Sequence, residues 1–164
     1  MQYRALVTAT LLALAQTFTS PVGAADTTPM SEPAAKVKAA VDPMAAARSR
    51  IRAHSWPAAI DELRRLNSTD NADWNNLMGY ALRKQATPDL DGAQRHYDAA
   101  LKLNPQHPGA LEYSGELALM KGNLPVAESR LVALAEVCKT PCEELTDLKK
   151  AVAKFKANGN RYAP

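Results

Sequence analysis

At 164 residues the chain holds material for one domain, and its 46% hydrophobic and 23% charged residues are those of an ordinary globular protein. Seven glycines in an Ala- and Leu-rich background favour helix over sheet. The formal net charge of +3 comes without a basic run, so no nucleic-acid partner is expected.

Residues 1–24 differ in kind from the rest. Arg4 gives a short positive start, residues 5–15 are apolar, and Val22-Gly23-Ala24 offers the small residues that a signal peptidase reads. The apolar run is about half of the ~20 residues that a spanning helix needs. The segment therefore reads as a cleaved export signal, with no stable membrane span left behind. A periplasmic destination is expected, with secretion as the alternative. Residues 25–41 are small, polar and proline-bearing, apart from Met30, Val37 and the final Val41. They bury too little to offset the entropy of ordering, and read as a flexible leader.

From Asp42 onward the pattern is helical. Asp42–Pro43 looks like a cap followed by Pro at the first helical position, starting a helix that runs to about His54. Trp56–Pro57 opens a second helix with Ala59, Ile60, Leu63 and Leu66 on one face. A polar turn at 67–71 leads to a pair of helices over 72–85 and 90–103, stopped by Asn104–Pro105. His107–Pro108 opens the fifth helix, which runs to Met120 and closes at Gly122, the expected left-handed residue. The sixth helix spans 124–137. Thr140-Pro141-Cys142-Glu143 has the layout of a capping box and starts a seventh helix to about Ala157. Leu145, Leu148, Val152 and Phe155 form the apolar face of that helix, and residues 158–164 are expected to fray.

Three columns of residues repeat. Ala59, Ala93 and Ala127 lie about 34 residues apart, as do Leu63, Tyr97 and Leu131, and Leu66, Ala100 and Leu134. Gly79 and Gly115 occupy one equivalent point in two first helices, and Ala47 fills it in the earliest unit. A glycine inside a helix costs about 1 kcal/mol against alanine, so each implies a close packing contact. With Trp74, Met78, Gly79, Ala93, Tyr97, Ala100 and Pro105 in the central unit, the chain resembles the tetratricopeptide repeat (TPR) family. The last unit supplies Leu111, Gly115, Ala127 and Leu131 without a closing Pro. The resemblance implies an all-α, right-handed solenoid of about three helix hairpins over residues 42–157, the seventh helix capping the last.

It also implies a concave face built by the first helix of each hairpin. In the repeat register that face carries Met44, Arg48, Ile51 and Arg52, then Asp73, Asn76, Tyr80, Arg83 and Lys84, then Glu112, Glu116 and Leu119. Some members of the family grip a C-terminal carboxylate with Lys and Asn, but Met44 and Arg48 stand at those positions here. A groove basic at one end and acidic at the other suits an extended or helical peptide. The expected function is that of a non-enzymatic protein- or peptide-binding adaptor without a cofactor. A self-assembling structural protomer is an alternative.

Cys138 and Cys142 carry the other distinct chemistry. Four residues of helical rise put their Cα atoms about 6 Å apart, within disulfide reach. A structural staple holding the seventh helix to the last repeat is expected. A thiol-redox or metal-handling pair is the alternative, although the spacing is one residue longer than Cys-x-x-Cys and no His or Cys completes a metal site. His54, His96 and His107 are scattered without metal-helix spacing and read as surface residues. No phosphate loop, nucleophile elbow or zinc-protease helix is present, so no enzyme is expected.

Overall fold

Helices in this chain begin where a side chain can cap them. The computed structural model describes residues 42–162, and the expected export signal and leader lie outside that range. Among the described residues there are seven α-helices and no strand. They are α1 (Ala45–Arg52), α2 (Trp56–Leu66), α3 (Ala72–Lys84), α4 (Leu90–Leu103), α5 (Pro108–Met120), α6 (Leu124–Val137) and α7 (Glu143–Ala157). None of these is long and apolar enough to cross a membrane.

Four helices carry a side-chain cap on an otherwise unpaired first-turn N–H. Asn71 Oδ1 accepts from Trp74 N at 3.0 Å, Asp89 Oδ1 from Gly92 N at 2.8 Å, His107 Nδ1 from Ala110 N at 3.2 Å and Asn123 Oδ1 from Val126 N at 3.3 Å. At the other ends, His54, Gly122 and Gly159 take positive φ. Each is followed by a residue whose N–H reaches back to the last turn: Ser55 to Arg50 O, Asn123 to Ala118 O and Asn160 to Phe155 O. This is the Schellman arrangement, expected from the sequence at Gly122 and found at all three.

Two expected starts move. Asp42 does not cap the first helix directly: its Oδ1 accepts from Met44 N at 2.9 Å, closing a local Asp-Pro turn, and α1 begins at Ala45. Thr140 does not cap the last helix either. The Cys138 and Cys142 sulfurs sit at bonding distance, with the Cα atoms 6.0 Å apart. Cys138 ends α6 and Cys142 precedes α7 in an extended conformation, so α7 starts after the cysteine link without a side-chain cap.

Every helix packs on the next in sequence. In addition α1 packs on α3, α3 on α5 and α5 on α7, whereas no described contact joins α2 to α4 or α4 to α6. Ala59, Ala93 and Ala127 are fully buried, as are Leu63 and Tyr97. The second column ends half-buried at Leu131, and the third breaks at Leu66, the last residue of α2, which is 36% exposed. One core joins α1–α4 with Leu117 around Leu63, Trp74, Met78 and Tyr97. A second joins α5–α7 around Leu111, Leu134, Leu148 and Phe155. Trp74 sits in the first with its indole Nε1 donating to Leu63 O at 2.7 Å.

The two helix glycines mark the tightest contacts. A Cβ on Gly79 would lie 2.7 Å from Tyr97 Cε1 and 3.1 Å from Ala93 O, so α3 and α4 meet there with only a bare backbone on the α3 side. A Cβ on Gly115 would meet Leu148 at 2.8 Å, so this glycine receives α7. Gly79→Val is therefore expected to destabilise the fold by about 2 kcal/mol, since overpacking outweighs the gain in helix propensity. Urea denaturation followed by circular dichroism checks this, with Lys102→Val at an exposed position of α4 as the control that changes little.

Candidate binding groove

Helical spacing sets the line of side chains. On α3, Asp73, Asn76, Tyr80 and Arg83 follow one another by three or four residues and share a face, with Lys84 four residues after Tyr80 beside it. On α5, Glu116 follows Glu112 by four residues and Tyr113 by three, so the three side chains lie on one side of the helix. Glu143, Glu144 and Asp147 come from the start of α7 and Arg48 and Ile51 from α1. These residues line two cavities. One, of about 380 Å³, is bounded by Tyr80, Arg83, Glu112, Tyr113, Glu116 and the α7 carboxylates. The other, of about 360 Å³, is bounded by Arg48, Asp73, Asn76, Tyr80, Tyr113 and Glu144. Tyr80, Tyr113 and Glu144 belong to both, so the two form one groove across α1, α3, α5 and α7.

At the α1 end, Asp73 joins three elements. Its Oδ2 takes Arg48 Nη2 at 3.2 Å, and its Oδ1 takes His107 Nε2 at 2.8 Å. His107 is thus buried, accepting from the α5 backbone through one ring nitrogen and donating to Asp73 through the other. The Nε2–H tautomer satisfies both bonds. His96 is half-buried with Nδ1 3.0 Å from Asn75 Oδ1, and burial followed by Arg95 holds its imidazole below the usual range. The surface reading of the histidines survives for His54 alone. Beside this hub Asn76 is buried, and its Oδ1 has no hydrogen-bond partner among the described residues.

In the middle, Arg83 is 4% exposed and faces inward. Its Nη2 lies 2.5 Å from Glu116 Oε2, and the guanidinium carbon sits 5.6 Å and 5.5 Å from the centroids of the Tyr80 and Tyr113 rings. Those rings pack at 4.6 Å. The arginine expected to grip a partner is therefore a structural cation between two aromatic rings and a carboxylate. Met44 and Leu119 are likewise core residues. Arg52 is exposed on α1 and lines neither cavity. Lys84 is exposed at the rim of the α7 end. Arg48, Asn76, Tyr80, Arg83, Lys84, Glu112 and Glu116 are brought together.

Glu112 is the anomaly. It is 8% exposed, lines the α7 end, and receives no hydrogen bond or ion pair from the described residues. Burial, then Glu116, Asp147 and Glu144, push its carboxyl up to about 8, with Arg83 pulling the other way. The carboxyl is thus mainly protonated at neutral pH. Sequence reasoning missed Tyr113 and the three α7 carboxylates as groove residues. The signal was present: Glu143 and Glu144 stand in the first turn of the last helix, and Asp147 follows them by four and three residues.

Neither a protein-family model nor a curated protein sequence matches this chain.

The groove offers hydrogen-bonding groups, aromatic walls and a surplus of carboxylates. Among the described residues no three His, Cys, Asp or Glu side chains are grouped to hold a metal ion.

The raised Glu112 carboxyl carries a stability consequence. The folded chain holds a proton that the unfolded chain releases between about pH 4.5 and about 8, so stability falls as pH rises through that window. Glu112→Gln is expected to flatten that slope and to be more stable than the parent at pH 9, by on the order of 2 kcal/mol. Thermal melts over a pH series measure both effects.

Proposed function

We propose that this chain is an exported tetratricopeptide-repeat module that binds a protein or peptide segment along the groove. Three packing features support the repeat reading. The alanine column is fully buried at all three positions. Gly79 admits Tyr97 at the hairpin contact. The odd-numbered helices touch one another while the even-numbered ones do not, as in a stack curved toward its odd helices. On this reading α1, α3 and α5 line the inner face and α7 covers the last hairpin. The pairing of Cys138 with Cys142 fits an oxidising compartment, in keeping with the signal-like residues 1–24, and the periplasm is the proposed location.

The observation that carries the binding reading is the groove itself. Asn76, buried with its Oδ1 unpartnered, and Glu112, 8% exposed and without an ion pair or hydrogen bond among the described residues, both line it and flank the Tyr80–Tyr113 wall. An unsatisfied buried polar atom such as Asn76 Oδ1 costs about 1–3 kcal/mol, a deficit that a peptide's own donors can relieve.

Site-specific photocrosslinking in intact cells tests this. With a benzophenone amino acid at exposed Lys84, a discrete crosslinked product is expected, and none with it at Val132, which is 65% exposed on α6. Equal products from both positions, or none from Lys84, would reject the groove as the binding face.

A further inference from the structure

We propose that the α7 end of the groove is a cation pocket, which takes the guanidinium or ammonium side chain of a basic peptide segment. The proposal rests on the peptide-binding reading above and adds the chemistry of the ligand.

Charge inventory comes first. Five carboxylates line this cavity, from Glu112, Glu116, Glu143, Glu144 and Asp147, against two cations, Arg83 and Lys84. Arg83 is committed to Glu116 and enclosed by the tyrosine rings, so it cannot turn to the others. Asp147 is met by Lys150 at 3.0 Å on its outer side. Glu112, Glu143 and Glu144 stay without an ion-pair partner among the described residues, and Glu112 does so while more than nine-tenths buried.

Shape comes second. A cavity of about 380 Å³ accommodates a long side chain rather than a bare ion. The Tyr80 and Tyr113 rings supply an apolar wall for its methylene stem, and the carboxylates meet its head. A divalent metal would need several oxygens converging on one point, which the described acidic residues do not provide. A guanidinium spreads its donors over a planar fork and can serve separated carboxylates at once.

The pocket also couples binding to a proton. Glu112 faces Glu116 and Tyr113 on its own helix, Tyr80, Arg83 and Lys84 on α3, and Glu143, Glu144 and Asp147 on α7. Burial, then Glu116, Asp147 and Glu144, favour the protonated form of Glu112. An entering cation favours the ionised form, so the proton leaves to solvent as the cation binds.

The test uses the full chain and fluorescein-labelled, alanine-rich peptides bearing arginine, norleucine or glutamate at the same positions. Fluorescence anisotropy is expected to show the arginine peptide binding at least about tenfold tighter than the norleucine one. That affinity is expected to rise with pH through about 8, where guanidinium stays charged. Glu112→Gln and Glu144→Gln are each expected to weaken arginine-peptide binding by about tenfold with melting curves that remain cooperative, and Glu112→Gln to remove the pH dependence. Equal binding of the three peptides would overturn the cation pocket and leave the groove reading standing. Binding of free argininamide, lost in Glu112→Gln, without binding of any peptide would uphold the pocket and overturn the peptide source. No binding of peptide or argininamide would overturn the proposal outright.

Discussion

The arrangement of the groove depends on one buried ion pair. Arg83 on α3 and Glu116 on α5 meet at 2.5 Å, with the guanidinium enclosed by Tyr80 and Tyr113. Burying a charge is costly unless a partner and hydrogen bonds compensate, and removing one member of such a pair is expected to cost about 3–5 kcal/mol. This pair therefore fixes how α3 sits against α5. It also decides what is left over. With the arginine consumed by Glu116, Glu112 one turn earlier has carboxylates for neighbours and no cation of its own. The binding chemistry of the groove follows from this imbalance rather than from any free basic residue.

The fold makes that imbalance possible by bringing odd-numbered helices side by side. Bare backbone at Gly79 lets Tyr97 close the α3–α4 pair, and bare backbone at Gly115 lets Leu148 bring α7 onto α5. The second contact is what delivers Glu144 and Asp147 to a cavity otherwise lined by α3 and α5. Packing and chemistry are thus joined at α7: the helix covers apolar surface with Leu148, Val152 and Phe155 while adding negative charge at its first turn. Acidic residues there also suit the positive end of the helix dipole, so their presence has a local rationale independent of any ligand. The Cys138–Cys142 link stands at the α6–α7 junction and restricts how far α7 can swing from that position.

The helical framework was legible in the sequence because its signals are local. Caps, prolines and apolar periodicity located α2, α4, α6 and the end of α7 within a residue or two. The alanine and Leu63/Tyr97 positions were readable from their interval alone. The starts of α1 and α7 fall two residues later than expected, because Asp42 bonds only two residues onward and Cys142 is committed to Cys138. The site was half legible. Register placed Asn76, Tyr80, Glu112 and Glu116 on one face, but whether a side chain there is free or consumed depends on residues far along the chain. Arg83 looks like a surface cation until Tyr113 and Glu116 arrive from α5. His107 looks like a surface residue until Asp73 arrives from α3. Asp73 and His107 are one repeat interval apart, so applying the register across helices as well as along them would have paired them.

The charge state of Glu112 holds the account together, and it can be read directly. Carbon-detected NMR of the side-chain carboxyl, with Glu112→Gln for assignment, follows its titration in the folded chain. The account predicts a midpoint near pH 8 for the free protein and a fall toward the ordinary carboxylate range when an arginine-bearing peptide is bound. An ordinary midpoint in the free protein would show that Glu112 is already compensated, and would contradict the cation pocket built on it.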